Sequence, residues 1–148
     1  MQSCDRAITL SWLWLLASVA LVSLPSATTA QVVPDATLGN GNNSVTSVTG
    51  NRTDILGGLR RNSALFHSFQ EFNVLTNQQV YFANPTGIRN IFSRVTGGNL
   101  SNIDGLLGVA GGANLFLMNP SGIIFGPNAR LDVSGSFLAT TANVLEFA

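Results

Sequence analysis

The acidic side chains of this chain are too scattered to work as a pair. Beyond the first thirty residues they are Asp35, Asp54, Glu71, Asp104, Asp132 and Glu146, and the nearest two, Asp132 and Glu146, stand 14 residues apart. Acid–base hydrolysis and oxygen-ligated cation sites both need convergent carboxylates. His67 is the single histidine and lies in an aromatic run, with no serine or cysteine nucleophile motif beside it. That is the setting of a packed, hydrogen-bonded residue rather than a catalytic base. Arg60-Arg61 reads as a solvated turn rather than an anion site. The lone cysteine, Cys4, leaves residues 31–148 with no disulfide framework and no thiolate metal site. On these residues the expectation is no enzyme, no metal and no cofactor.

The spacing that carries a message belongs to the backbone. Asn84-Pro85-Thr86-Gly87-Ile88 and Asn119-Pro120-Ser121-Gly122-Ile123 repeat one pattern at an offset of 35 residues. Each follows an apolar run, Val80-Tyr81-Phe82 or Leu115-Phe116-Leu117-Met118. Proline fixes φ and lacks an N–H, so it ends a strand ladder. The asparagine before it is held extended and bonds its own backbone two residues on. Glycine then accepts φ > 0. Each copy is therefore a strand that ends in a tight corner and re-enters apolar sequence, and the offset fits one or two turns of a repeating structure.

The elements that position these corners follow from composition. At 148 residues the chain has room for one domain. Charged residues make up 9%, there is no lysine, and the formal net charge is zero, which argues against nucleic acid or an anionic membrane surface as partner. A hydrophobic content of 45% is too rich for disorder, and fifteen glycines among short apolar runs point to an all-β chain with many turns.

The first thirty residues read as a leader. Ala7 to Leu24 is apolar, Pro25 follows, and Ser26 to Ala30 are all small, which is the layout of a signal peptide cleaved after Ala30. The apolar run is also long enough for the competing reading, an uncleaved anchor. Pro25 and the small-residue site favour cleavage. A cysteine-free exported chain is suited to crossing a second membrane unfolded.

Residues 31–53, with Gly39-Asn40-Gly41 and then Val45 to Thr49, read as a turn and a polar strand suited to capping a β edge. Leu65 to Leu75 shows a helical period at Leu65, Phe69 and Phe72, but its aromatics favour a strand with a bend near Phe69. From about residue 80 short strands alternate with Gly, Asn or Pro turns: 80–83, 88–96, 100–109, 115–118, 123–125, 131–133, 137–141 and 144–147. Such a rhythm fits a sandwich, a barrel or a solenoid. Corners that redirect the chain without doubling it back favour the solenoid, with coils stacked in parallel.

The segment Asn119 to Ala129 resembles the amino-terminal secretion domain of filamentous haemagglutinin-type exoproteins, the two-partner secretion (TPS) domain, in the version common among cyanobacterial-type large exoproteins. The resemblance extends in family order over Leu65–Phe69, Ile91–Gly98, Ser101–Gly105, Ala113–Met118 and Gly135–Asn143. The family carries two signature corners, Asn-Pro-Asn-Leu and Asn-Pro-Asn-Gly-Ile. Asn119, Pro120, Ser121, Gly122 and Ile123 match the second, with serine in place of asparagine. Asn84, Pro85, Thr86 and Gly87 are the nearest to the first and depart at two of four positions. The resemblance implies an all-β, right-handed parallel β-helix over residues 31–148 behind a signal peptide at 1–30. It also implies Sec-dependent export, recognition in the periplasm by the POTRA domains of an outer-membrane pore, and folding outside the cell in a large adhesin-like exoprotein.

Two other functions compete with a secretion module. A surface adhesin binding host or cell-surface glycans on its own β-helix needs exposed aromatics, and beyond residue 30 the chain offers Tyr81 and no tryptophan. A polysaccharide-cleaving β-helix needs the clustered carboxylates that are missing. The Asn-Pro corners themselves have two readings, direct contact with the export partner or corners that any β-helix requires. The sequence ends in the apolar run Val144 to Ala148 without a polar cap, so the expected product is a truncated or partial domain, marginally stable by itself.

Overall fold

The computed structural model describes residues 31–144. The expected leader, with Ala30, and residues 145–148, with all but the first residue of the last expected strand, lie outside them. The described residues form an all-β solenoid of about four turns without a helix. The strands are β1 (Val32–Pro34), β2 (Ser44–Thr49), β3 (Arg52–Gly57), β4 (Leu59–Arg61), β5 (Ala64–Phe72), β6 (Gln79–Ala83), β7 (Asn90–Val95), β8 (Ser101–Ile103), β9 (Leu106–Ala110), β10 (Asn114–Met118), β11 (Ile123–Phe125), β12 (Arg130–Asp132) and β13 (Phe137–Thr140).

Three faces stack along the solenoid. One sheet runs β1-β5-β7-β10-β13 with β4 also on β5, a second runs β12-β9-β6-β3-β2, and β8 pairs β11 on the third. Val74 extends the third face by a parallel bridge to Ile103. Every pairing from coil to coil is parallel, as in β5 with β7, β7 with β10 and β6 with β9. Alternation along each strand turns one set of side chains inward. Leu65, Ile91 and Leu115 stand in register on one inner wall, with Phe137 partly buried below them. Ile55, Phe82 and Val109 do the same on another. Each such apolar side chain stabilises the fold by roughly 1.5–3 kcal/mol before entropy is counted. Outside, Phe66, Phe92 and Phe116 stack ring on ring, with centroids 5.1 and 4.7 Å apart.

Register partners on neighbouring coils lie 22 to 29 residues apart, from Leu115↔Phe137 to Val74↔Ile103. The 35-residue offset is therefore not the coil repeat, and the two Asn-Pro corners sit on different edges. Asn84 follows β6, whose last residue Ala83 pairs Ala110, whereas Asn119 follows β10, whose Met118 pairs Arg94. The expected single stretch 100–109 is two strands, β8 and β9, broken by a corner at Asp104-Gly105.

The amino-terminal region caps the solenoid as expected. Strand β1 lies antiparallel on β5 and β2 antiparallel on β3, with a register shift opposite Phe69 where the bend was expected. No helix forms over 65–75. Two-residue hairpins, which the coils do not use, occur here: Gly50-Asn51 joins Thr49 to Arg52, and Asn62-Ser63 joins Arg61 to Ala64. Gly50 at φ 59° and Asn62 at φ 51° supply the positive dihedrals such turns need.

Candidate functional site

Asn119 is fully buried. Strand β10 delivers it to the corner, and Pro120 then blocks continuation of the ladder. Its amide nitrogen donates to the Asn99 carbonyl at 3.0 Å and to Ser101 Oγ at 2.9 Å, both on the preceding coil. Its oxygen accepts from the Ser121 N–H at 2.9 Å, the local bond expected of asparagine here. Its own N–H donates to the Thr140 carbonyl of the following coil at 3.0 Å. Gly122, at φ 122°, donates to the Asn119 carbonyl at 3.0 Å, and its carbonyl accepts from Ser101 N–H at 2.9 Å. One residue thus joins three coils with every polar atom of its side chain paired. Pro120 and Ser121 are exposed beside it. They border an open groove shared with Arg94, Thr96, Gly97 and Gly98.

The first corner is built alike but looks the other way along the solenoid. The half-buried Asn84 amide, its nitrogen toward Ile88, donates to that carbonyl at 3.1 Å and accepts from the N–H groups of Gly112 and Ala113 at 3.2 Å. Ile88 N–H closes the turn on the Pro85 carbonyl at 3.1 Å, Gly87 takes φ 85°, and Pro85 and Thr86 are exposed. The structure brings each corner against a neighbouring coil but does not bring the two corners together.

A third corner was missed in the sequence. Asp104, between β8 and β9, accepts from Thr76 Oγ1 on the preceding coil and from Asn128 on the following one, through its N–H at 2.9 Å and its amide at 3.2–3.3 Å. A Cβ on Gly126 would fall 2.2 Å from the Asp104 carboxylate, so this approach requires glycine. The Thr76 hydroxyl, ahead of the Asn128 bonds, holds the carboxyl below its ordinary range. The missed signal was the spacing Thr76, Asp104, Asn128, close to the coil length. Asp104→Ala should speed hydrogen exchange at the amides of Gly126 and Asn128 while leaving that of the Ser121 N–H unchanged. Equal protection in both proteins would show that the carboxylate does not hold this corner.

His67 and Tyr81 are tied into the fold. His67 is buried, with Nδ1 3.0 Å from Ser44 Oγ of the capping strand and its ring against Phe69 and Phe82. Its Nε2 has no partner, and burial pushes its pKa down to about 4. Tyr81 carries the Arg52 guanidinium over its ring at 4.0 Å and donates to Asp132 at 2.7 Å. Arg52 in turn binds Asp54 at 2.6 Å. Among the described residues no three His, Cys, Asp or Glu side chains converge on a point that could hold a metal.

Comparison with known proteins places this geometry. The family model described as TPS secretion domain matches residues 30–148. Two Haemophilus influenzae proteins named heme/hemopexin-binding protein are similar, one 36% identical over 72 residues and the other 34% over 76. Those segments are 49% and 51% of this chain and 8% of either relative, so the chain spans a small part of the relatives it matches. The matched region takes in all three corners and the whole described solenoid. The chain belongs to the TPS secretion domain family, the module carried by two-partner-secreted exoproteins.

Proposed function

We propose that this chain is the non-catalytic targeting module of a larger adhesin-like exoprotein, whose remaining length carries whatever ligand the exoprotein binds. The leader at 1–30 hands it to the Sec machinery and is cleaved after Ala30. POTRA domains of an outer-membrane pore then recognise residues 31–148 in the periplasm, and the chain crosses unfolded to fold at the cell surface. The family match supports this reading, and it begins at residue 30, where the small-residue run ends.

The corner at Asn119 to Ile123 is in this proposal a structural element. The observation that carries it is the buried, fully paired Asn119 amide, which leaves nothing of that side chain for a partner once the coil has formed. In this scheme recognition precedes folding, so the test uses Pro120 and Ser121, which the folded corner leaves exposed and whose replacement separates reading by the pore from stability of the coil. Ser121→Ala and Pro120→Ala, assayed for secreted yield in cells with the pore and for thermal melting when purified, separate the roles. Both variants should be secreted normally, with Ser121→Ala melting within about 2 °C of the parent, since surface changes shift stability by little. Loss of secretion with an unchanged melt would make the exposed half of the corner a recognition element.

A further inference from the structure

Three of the chain's seven arginines gather at one place. Arg60 and Arg61 lie on β4, Arg89 follows the Asn84 corner, and all three are exposed. The two segments are hydrogen-bonded to each other: Arg60 Nη2 donates to the Thr86 carbonyl at 3.0 Å, and the N–H groups of Arg89 and Asn90 donate to the Ser63 carbonyl at 2.8 and 3.2 Å. Arg60 is also held by the Asn62 carbonyl, with Nε at 3.3 Å, so its guanidinium is oriented by backbone rather than by a counter-ion. Among the described residues the one Arg–carboxylate ion pair joins Arg52 to Asp54, and none involves these three arginines. In a chain with 9% charged residues this is a local concentration of one sign without a carboxylate counter-ion among the described residues.

The adjoining backbone is open as well. Strand β4 pairs β5 and no other strand among the described residues, so its second edge carries no strand, and the Arg60 carbonyl is covered by the exposed Arg61 side chain, whose Nη1 donates to it at 3.3 Å. Edge strands usually resist addition through bulges, prolines or inward charges. Here the charges are two exposed arginines, one on each face of the strand, which repel a basic strand and attract an acidic one.

We propose that β4 and the Asn84 corner form a docking surface for an extended acidic segment of a protein partner. The segment adds along the free edge of β4 through main-chain hydrogen bonds, where its carboxylates meet Arg60 and Arg61, and it continues past the Asn62-Ser63 turn to Arg89, which lies across β5 beside that turn. Three arginines on a neutral chain fall short of the roughly 4–8 clustered basic residues of a lipid-binding patch. This surface is separate from the Asn119 corner, and the proposal does not depend on which protein exports the chain.

The test is a titration of the full chain with an alternating Glu-Thr peptide, a Gln-Thr peptide and phosphatidylglycerol vesicles, followed by amide NMR. The Glu-Thr peptide should bind, more weakly as salt rises, with shifts confined to 59–63 and 86–90. Arg61→Glu with Arg89→Glu leaves both Arg60 side-chain bonds intact and removes the Arg61 bond to the Arg60 carbonyl. It should weaken that binding by about tenfold or more and create binding to a Lys-Thr peptide, because both charge-assisted contacts reverse sign. A melt matching the parent's confirms that the variant is folded. Equal binding of the Gln-Thr peptide, shifts elsewhere, binding to vesicles alone, or an unchanged affinity in the variant would overturn the proposal.

Discussion

Asn119→Ala should lower the unfolding free energy of the purified chain by roughly 3–5 kcal/mol, read as a fall in the urea midpoint at unchanged slope. The substitution removes a buried amide and leaves the Asn99 carbonyl and Ser101 Oγ without their donor, while Ser121 N–H loses its acceptor. A buried group stranded in this way, here Ser101 Oγ, costs about 1–3 kcal/mol, and exposed Asn99 and Ser121 recover part of their share from water. Asn84→Ala provides the internal comparison. Asn84 is half-buried, but of its partners only Gly112 is exposed while Ile88 and Ala113 are buried, so water entering beside the shortened side chain satisfies these groups in part and the loss should be about 1–3 kcal/mol. Asn119→Asp keeps the acceptor for Ser121 but has no donor for Asn99 and Ser101 and buries a charge, so it should be no milder than alanine. A midpoint for Asn119→Ala within about 0.5 kcal/mol of the parent would mean that this corner does not tie the coils together.

The contrast between those two asparagines shows what the sequence disclosed and what it could not. Both corners were visible because Asn-Pro-x-Gly is a local signal: proline, asparagine and glycine each act within two residues of themselves. The strands before and after were visible for the same reason, as short apolar runs between turns. The use made of each asparagine was hidden, because its partners lie about one coil away, 18 and 20 residues before Asn119 and 28 and 29 after Asn84. Coil length also varies, so no fixed period marks which residues meet. The two corners close different sheets, which is why their 35-residue offset resembles a repeat without being one, and the varying coil length is why Asp104, joined to Thr76 and Asn128 at 28 and 24 residues, reads as one more polar residue in a strand. The capping region was legible as polar and β-branched, but its two tight hairpins depend on single positive dihedrals at Gly50 and Asn62.

His67 leads to the second large effect, a loss of stability on the order of 3 kcal/mol between pH 6.5 and 4. In the unfolded chain the imidazole titrates at its ordinary value of 6.5, and in the fold burial lowers this to about 4. Above pH 6.5 the ring is neutral in both states and the full stability is present. Between 6.5 and 4 the unfolded state binds a proton that the folded state refuses, so stability falls by about 1.4 kcal/mol per pH unit. Below pH 4 both states are protonated at this site and its contribution to the slope ends. The groups packed on the ring are Ser44 from β2, Phe69 from β5 and Phe82 from β6, with Ser93 of β7 in register; none carries a charge that would stabilise imidazolium. Asp35 and Asp104 act in a lower window. Burial alone would raise the Asp35 carboxyl, but bonds from Thr96, Thr37 and Ser68 outweigh it, and both carboxyls lie below 3.8 in the fold. Their contribution is present above 3.8 and is lost as pH falls through the folded values. Because His67 is the chain's one histidine, urea midpoints at pH 7.5, 6.5, 5.5 and 4.5 (about one unit apart) isolate it. His67→Phe should flatten the slope between 6.5 and 4.5 whatever it does to stability at neutral pH. The same slope in parent and variant would place the acid sensitivity elsewhere. A parent with no slope would show that the ring takes up its proton without leaving the core.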